Sequence, residues 1–214
     1  MSVLRTIGRQ TNSERKITVS KKFELTTETK IFSGRTLYRI RALIAFDGVK
    51  AGELGGWIEK EENLSQEGNA WVFGNARVFG DARVYDNAWV FGDAWVFGDA
   101  RVYGDAWVFG NARVFGDAWV YGNARVFGDA RVYGDARVTK PTHLFQIGAI
   151  GSRDGFTSFV RSETKNILVA CGCFRGTIAE FEARVKEVHA GTKHEKTYLA
   201  AIELAKLQME DVEV

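Results

Sequence analysis

At 214 residues the chain can hold one or two domains by length alone, and no apolar run in it approaches the length of a membrane helix. No hydrophobic N-terminal segment precedes a cleavage site, and the only two cysteines, Cys171 and Cys173, lie one residue apart, too close for an ordinary structural staple; a reducing, cytoplasmic setting is expected. The net charge of +2 conceals an asymmetry, because residues 1–53 carry eleven basic and five acidic side chains while the rest is neutral or acidic.

That basic leader comes first in the chain. Its charge suits nucleic acid or an acidic partner, but Lys16, Lys21 and Lys22 are not interleaved with aromatic stacking residues. It therefore reads first as a soluble arm, and nucleic acid is not an expected partner.

From Gly68 to Thr139 a six-residue unit, Gly-(Asp/Asn)-Ala-(Arg/Trp)-Val-(Phe/Tyr), is written twelve times without a gap. Only Asp86, in place of Gly, and Thr139, in place of an aromatic, break it. Such self-similarity marks a solenoid, whose units cannot bury their own apolar residues and must stack on their neighbours. A longer period lies inside the short one: Trp71, Trp89 and Trp107 are eighteen residues apart, as are Tyr85, Tyr103 and Tyr121. Three units thus make one triangular coil, and successive coils pair as parallel strands about 4.8 Å apart. Side-chain alternation turns Val and Ala inward and the aromatic, Asp/Asn and Arg/Trp positions outward, with Gly at the corners. A Val and an Ala per side fill a narrow prism, so no ligand cavity is expected along its axis. Leu54-Gly-Gly-Trp-Ile58 keeps the register, and Leu64 and Ala70 continue the small-residue column. Residues 54–71 then form a degenerate first coil, giving about five coils in all.

The chain resembles hexapeptide-repeat proteins with a left-handed parallel β-helix, and more narrowly the phage- and prophage-encoded ones. The residues that carry the likeness are the leader Thr36-Leu-Tyr-Arg-Ile-Arg-Ala42, the segment Leu54 to Gly68 and the repeat itself; Gly172 to Glu182 and Tyr198 to Glu203 are similar to a tail found on such phage proteins. The left hand of the coil is implied by this resemblance, since the general rule for parallel crossovers gives the opposite hand. It implies no settled biochemical activity.

The three outer faces differ. The first stacks Trp71, Phe73, Trp89, Phe91, Trp107, Phe109, Arg125 and Phe127; the second carries Arg77, Phe79, Trp95, Phe97, Arg113, Phe115, Arg131 and Tyr133; the third, with Arg83, Tyr85, Arg101, Tyr103, Trp119, Tyr121 and Arg137, is the polar one. Each aromatic side chain can bury ~150–250 Å², so the first face exceeds the ~300–600 Å² apolar patch that an ordinary monomer exposes. An oligomer interface is therefore expected at Trp71, Phe73, Trp89, Phe91, Trp107, Phe109 and Phe127, joined by Trp95. Proteins of the resembled family are commonly homotrimers, and a three-fold ring uses two different patches per subunit. Against this, the ladders could be covered by the flanking segments, or simply stack on themselves, Arg over Trp.

Members of the resembled family include acyltransferases and zinc carbonic anhydrases, whose chemistries need histidine on the coils. Residues 68–139 contain no His, Lys, Glu or Cys, and no inserted loop. No catalytic residue, metal or cofactor is assigned, and the chain is expected not to be an enzyme.

The only proline, Pro141, opens the tail. His143–Ile150, Phe156–Ser162 and Ile167–Gly172 read as a three-stranded meander. Two helices follow, begun by Thr177-Ile-Ala-Glu180 and by Thr192-Lys-His-Glu195, with Ile178, Phe181, Val185 and Val188 as the apolar stripe of the first. The loop between strand and helix, with Gly172, Arg175, Gly176 and Thr177, is a candidate anion site, and Arg153 on a neighbouring turn is a further candidate ligand-binding cation. A plain strand-to-helix turn is the competing reading. Two thiols lack the partners of a zinc site, and Cys171 and Cys173 read as free.

The expected fold is mainly β: a leader (1–53), a triangular parallel β-helix (54–139) and an α+β cap (140–214). The expected function is a homotrimeric display scaffold that, in the phage setting, occupies or sequesters a host protein in the host cytoplasm, with no membrane partner. A sponge for a small nucleotide signal, held by Arg153, Arg175 or Arg–Trp pairs, a virion component, and an acyltransferase are the alternatives.

Overall fold

The computed structural model describes residues 21–210. Each six-residue unit contributes one two-residue strand, from β4 (Trp71–Val72) to β15 (Arg137–Val138) at regular six-residue steps. Strands eighteen residues apart pair in parallel, and this alone builds three faces. Trp71, Trp89, Trp107 and Arg125 lie in register on the first. Trp57, Arg77, Trp95, Arg113 and Arg131 do so on the second, and Arg83, Arg101, Trp119 and Arg137 on the third. The strand β3 (Leu54–Ile58) pairs in parallel with Arg77–Val78, and Leu64 bridges Val84, so residues 54–71 do form the degenerate coil and the solenoid has about five turns.

Every inward Ala and Val from Ala70 to Val138 is at most 1 % exposed, and they join in one continuous core. At the corners positive φ is required, and space is short: a Cβ on Gly98, at φ +70°, would lie 3.0 Å from the nitrogen of Gly116 in the next coil. Asp86 holds the same left-handed conformation at φ 58°, and its carboxylate accepts the Gly104 N–H at 3.1 Å, which offsets the strain.

From Lys21 onward the leader is not a free arm. The strands β1 (Phe23–Phe32) and β2 (Arg35–Ala42) form an antiparallel hairpin that pairs with β3 and extends the second face to seven strands. Lys22, expected to be solvated, is 2 % exposed, and its Nζ donates to the carbonyls of Glu67, Gly68 and Ala70 at 3.3, 3.3 and 2.9 Å. It thus closes the open corner of the first coil. Lys21 pairs with Glu61 at 2.7 Å, and Lys16 lies outside the described residues.

Burial pushes the Lys22 ammonium down to about 8, and burial with the nearby Arg77 and Arg39 charges does the same to Lys30, whose Nζ sits 3.9 Å above the Trp57 ring. Between about 8 and 10.5 the unfolded chain keeps both protons while the folded chain sheds them, so stability rises with pH across that window. Tyr133 and Tyr198, raised above 10 by burial, act in the opposite sense at still higher pH. A denaturation midpoint higher at pH ~9.5 than at ~7.5, with a smaller gain in Lys30→Met, is the expected result. A midpoint that falls over the same interval would contradict it.

The tail sheet has four antiparallel strands in sequence order, β16 (Leu144–Ile150), β17 (Gly155–Arg161), β18 (Ile167–Cys171) and β19 (Phe174–Thr177), one more than the expected meander. The extra strand arises because Gly172 at φ +55° and Cys173 form a two-residue turn that folds Phe174 back onto Cys171. Thr177 caps α1 (Ile178–Val188) and Thr192 caps α2 (Lys193–Met209), each accepting the N–H of the Glu three residues on. Phe181 and Val185 are buried against the sheet, but Val188 is half exposed. The sheet covers the last coil through Tyr133, whose hydroxyl donates to the Val169 carbonyl and accepts the Gly176 N–H, both at 2.9 Å. Ser158 accepts the Arg131 N–H at 3.2 Å, and the Glu163 N–H reaches the Asp135 carbonyl at 3.0 Å, so the strand edge that the last coil leaves open is partly paired. No helix among the described residues is long and apolar enough to cross a membrane.

Candidate functional site

The outward aromatics form ladders whose steps are set by coil spacing. On the first face Trp89 stacks on Trp107 at 5.6 Å, and Phe91 on Phe109 at 4.8 Å, nearly parallel. Arg125 lies 4.2 Å above the Trp107 ring, and on the second face Arg113 lies 4.0 Å above Trp95. These contacts are the self-stacking that competes with an interface, and they leave Phe73, Trp89, Phe91 and Phe109 half-buried.

Two residues of the expected interface are covered within the chain. Trp71 is 0 % exposed, with Phe23 at 6.2 Å and Phe46 at 5.4 Å packed edge-on against it. Trp95 meets Phe32 of the hairpin at 4.7 Å. The apolar surface that remains is therefore smaller than the sequence alone implies, and it lies toward the tail. Trp107 is 37 % exposed and Phe127 49 %, and Phe156 of the tail sheet is as exposed as Phe127. Between the last coil and the tail sheet a groove of about 580 Å³ is lined by Phe127, Leu144, Phe145, Gln146 and Phe156, among others. The Gln146 Nε2 is buried with no acceptor among the described residues.

The anion site expected at the tail loop is not assembled as drawn. The Gly176 N–H is taken by Tyr133, and the Thr177 N–H by the Glu180 carboxylate at 2.7 Å, so the donors that would face an anion are already satisfied. Arg175 turns back to donate to the Gly172 carbonyl at 3.1 Å and lies 5.7 Å above the Tyr133 ring. Arg153 and Gly172 instead line a different cavity of the tail, beside α1 and α2. Sequence reading misses Lys22, whose role depends on three carbonyls more than forty residues away, and Phe46, which no periodicity marks.

The repeat can be placed among known proteins by its coils. They match the family described as YdcK Beta solenoid repeat over residues 82–98, 106–122 and 118–132. Over 61 residues the chain is also 38% identical to the protein named "Uncharacterized acetyltransferase YdcK" of Escherichia coli (strain K12), a stretch that covers 25% of this chain and 19% of that protein. The chain therefore spans about a fifth of the length of the curated relative it matches. Neither likeness speaks to a phage origin.

This second likeness overturns the expectation that the chain is not an enzyme. That expectation rested on the missing coil histidine, which bears only on chemistry performed by residues 68–139 and leaves the side chains of the tail unconstrained.

Proposed function

We propose that the chain is a homo-oligomeric solenoid scaffold, three-fold in symmetry, that joins its copies through the distal part of the first face and presents its remaining surfaces to a partner protein. The observation that carries the reading is the exposed aromatic run Trp107, Phe127 and Phe156, continuous with the half-buried Trp89, Phe91 and Phe109. Large exposed apolar side chains gathered on one face favour burial against another molecule. The buried Gln146 amide in the adjoining groove would gain an acceptor from a second copy. In the phage setting implied by the sequence resemblance, the partner is a host protein that the assembly occupies.

Native mass spectrometry and light scattering test the assembly. Trimers are expected for the natural chain, and mainly monomers, still folded by circular dichroism, for Trp107→Glu with Phe127→Glu. A natural chain that stays monomeric at tens of micromolar would refute the reading.

A second reading, acetyl transfer, rests on the name of the partial relative. Release of free thiol from an acetyl thioester by the same purified fractions decides it. The side chains with the chemistry for such a step, two thiols and an imidazole, gather in the tail rather than on the coils.

A further inference from the structure

The tail contains a cavity of about 300 Å³ that the scaffold reading does not use. It opens where the turn after β16, the turn after β18 and the facing sides of α1 and α2 converge. Its apolar wall is made by Phe174, Phe181 and Val185, with the two phenyl rings 5.1 Å apart. Its charged lining is cationic: Arg153 and Arg184 border it, with the His189 imidazole beside them, and no carboxylate does. Arg184 is partly neutralised by Glu187 at 2.8 Å, whereas Arg153 has no acidic partner among the described residues.

Tyr198 borders the same space, and its hydroxyl lies beside the lining residue Cys171. It is packed so closely over Gly151 that a Cβ there would lie 1.7 Å from the hydroxyl oxygen, which accounts for glycine at that turn. Its one described partner is the Cys171 sulfur at 3.8 Å, beyond a strong hydrogen bond. Burial and the neighbouring thiol hold the phenol up to about 12, so it stays a donor at any physiological pH. A cavity with aromatic walls, one free guanidinium, an imidazole and an under-used phenol donor is complementary to a ligand that is flat and apolar at one end and negatively charged at the other.

We propose that this cavity binds a small organic anion with an aromatic body, the ring lying against Phe174 and Phe181 and the anionic group held by Arg153, His189 and the Tyr198 hydroxyl. The volume is at the low end of the ~300–1,000 Å³ typical of ligand pockets, which limits the body to about one ring system. Arg175, the cation favoured by sequence, takes no part because it is turned toward Tyr133.

The protein carries its own reporters. Cys171 and Cys173 are the only cysteines in the chain, and both line the cavity. We would follow the rate at which a chromogenic disulfide reagent labels them, in the full chain, with benzoate, phenyl phosphate, inorganic phosphate or benzyl alcohol as probes. Saturable slowing by benzoate or phenyl phosphate is expected, with at least about tenfold weaker protection by the neutral alcohol and by the ion that lacks a ring. Arg153→Ala, at an exposed turn, is expected to weaken protection by about tenfold, while Arg175→Ala leaves it unchanged. No slowing by either aryl anion, equal slowing by benzyl alcohol, or full protection in Arg153→Ala would each overturn the proposal.

Discussion

Trp71→Ala is expected to destabilise the protein by roughly 3–5 kcal/mol, the range for removing a fully buried large aromatic side chain. Trp71 has no exposed surface, and Phe23, Phe46 and Phe73 contact its edges and faces from two different parts of the chain. Removing the indole would open a cavity at the joint between the leader and the first full coil, where the rigid prism beneath cannot collapse to fill it. Trp71→Phe is expected to be far milder, about 1 kcal/mol. It keeps an aromatic ring in place and removes an indole N–H that is buried without an acceptor among the described residues. Urea denaturation of the two variants makes the comparison, and hydrogen exchange in residues 23–32 locates it. Equal, small effects would mean that the leader is held by its strand pairing alone.

Lys22→Met is expected to lower stability by about 2 kcal/mol, a balance of two opposed effects. The substitution leaves the carbonyls of Glu67, Gly68 and Ala70 without the ammonium that now pairs them, at ~1–3 kcal/mol for a buried acceptor left unsatisfied. Glu67 and Gly68 are exposed enough for water to replace the lost donor, so the deficit falls chiefly on Ala70, whose side is fully buried. In partial compensation, the variant no longer confines a charge against the Phe46 ring. Protection of the amides near the first corner should fall with the global stability. An unchanged denaturation midpoint would show that water serves these carbonyls as well as the lysine does.

The coil was legible because one short unit repeats until its geometry is overdetermined. Alternation alone assigns inside and outside, and the eighteen-residue interval between like tryptophans assigns the faces. The leader was not legible for the opposite reason. Lys22, Phe23 and Phe46 occur once each and have no period, and a lysine in a basic stretch looks solvated until the chain places carbonyls around it. The same logic explains the tail: both helix caps could be read locally, while the fourth strand could not, because Phe174 to Thr177 alternates no apolar pattern and is held by pairing to Leu168–Cys171. The expected anion site failed at that strand, since its donors are consumed by Tyr133 and Glu180. Arg153 lines a cavity that only folding assembles.

Because the three faces recur every eighteen residues, whole coils are interchangeable in a way that single units are not. Excising eighteen residues, for example Gly92 to Phe109, would carry the leader and the tail closer by about 4.8 Å and leave their angular relation unchanged. Excising six would turn one end against the other by a third of a revolution, so that the leader hairpin and the strands that receive Tyr133 would no longer end the same face. The molecule can therefore be lengthened or shortened only in whole revolutions if its two ends are to keep their angular relation, so its height is a variable that gene duplication can adjust and its phase is not.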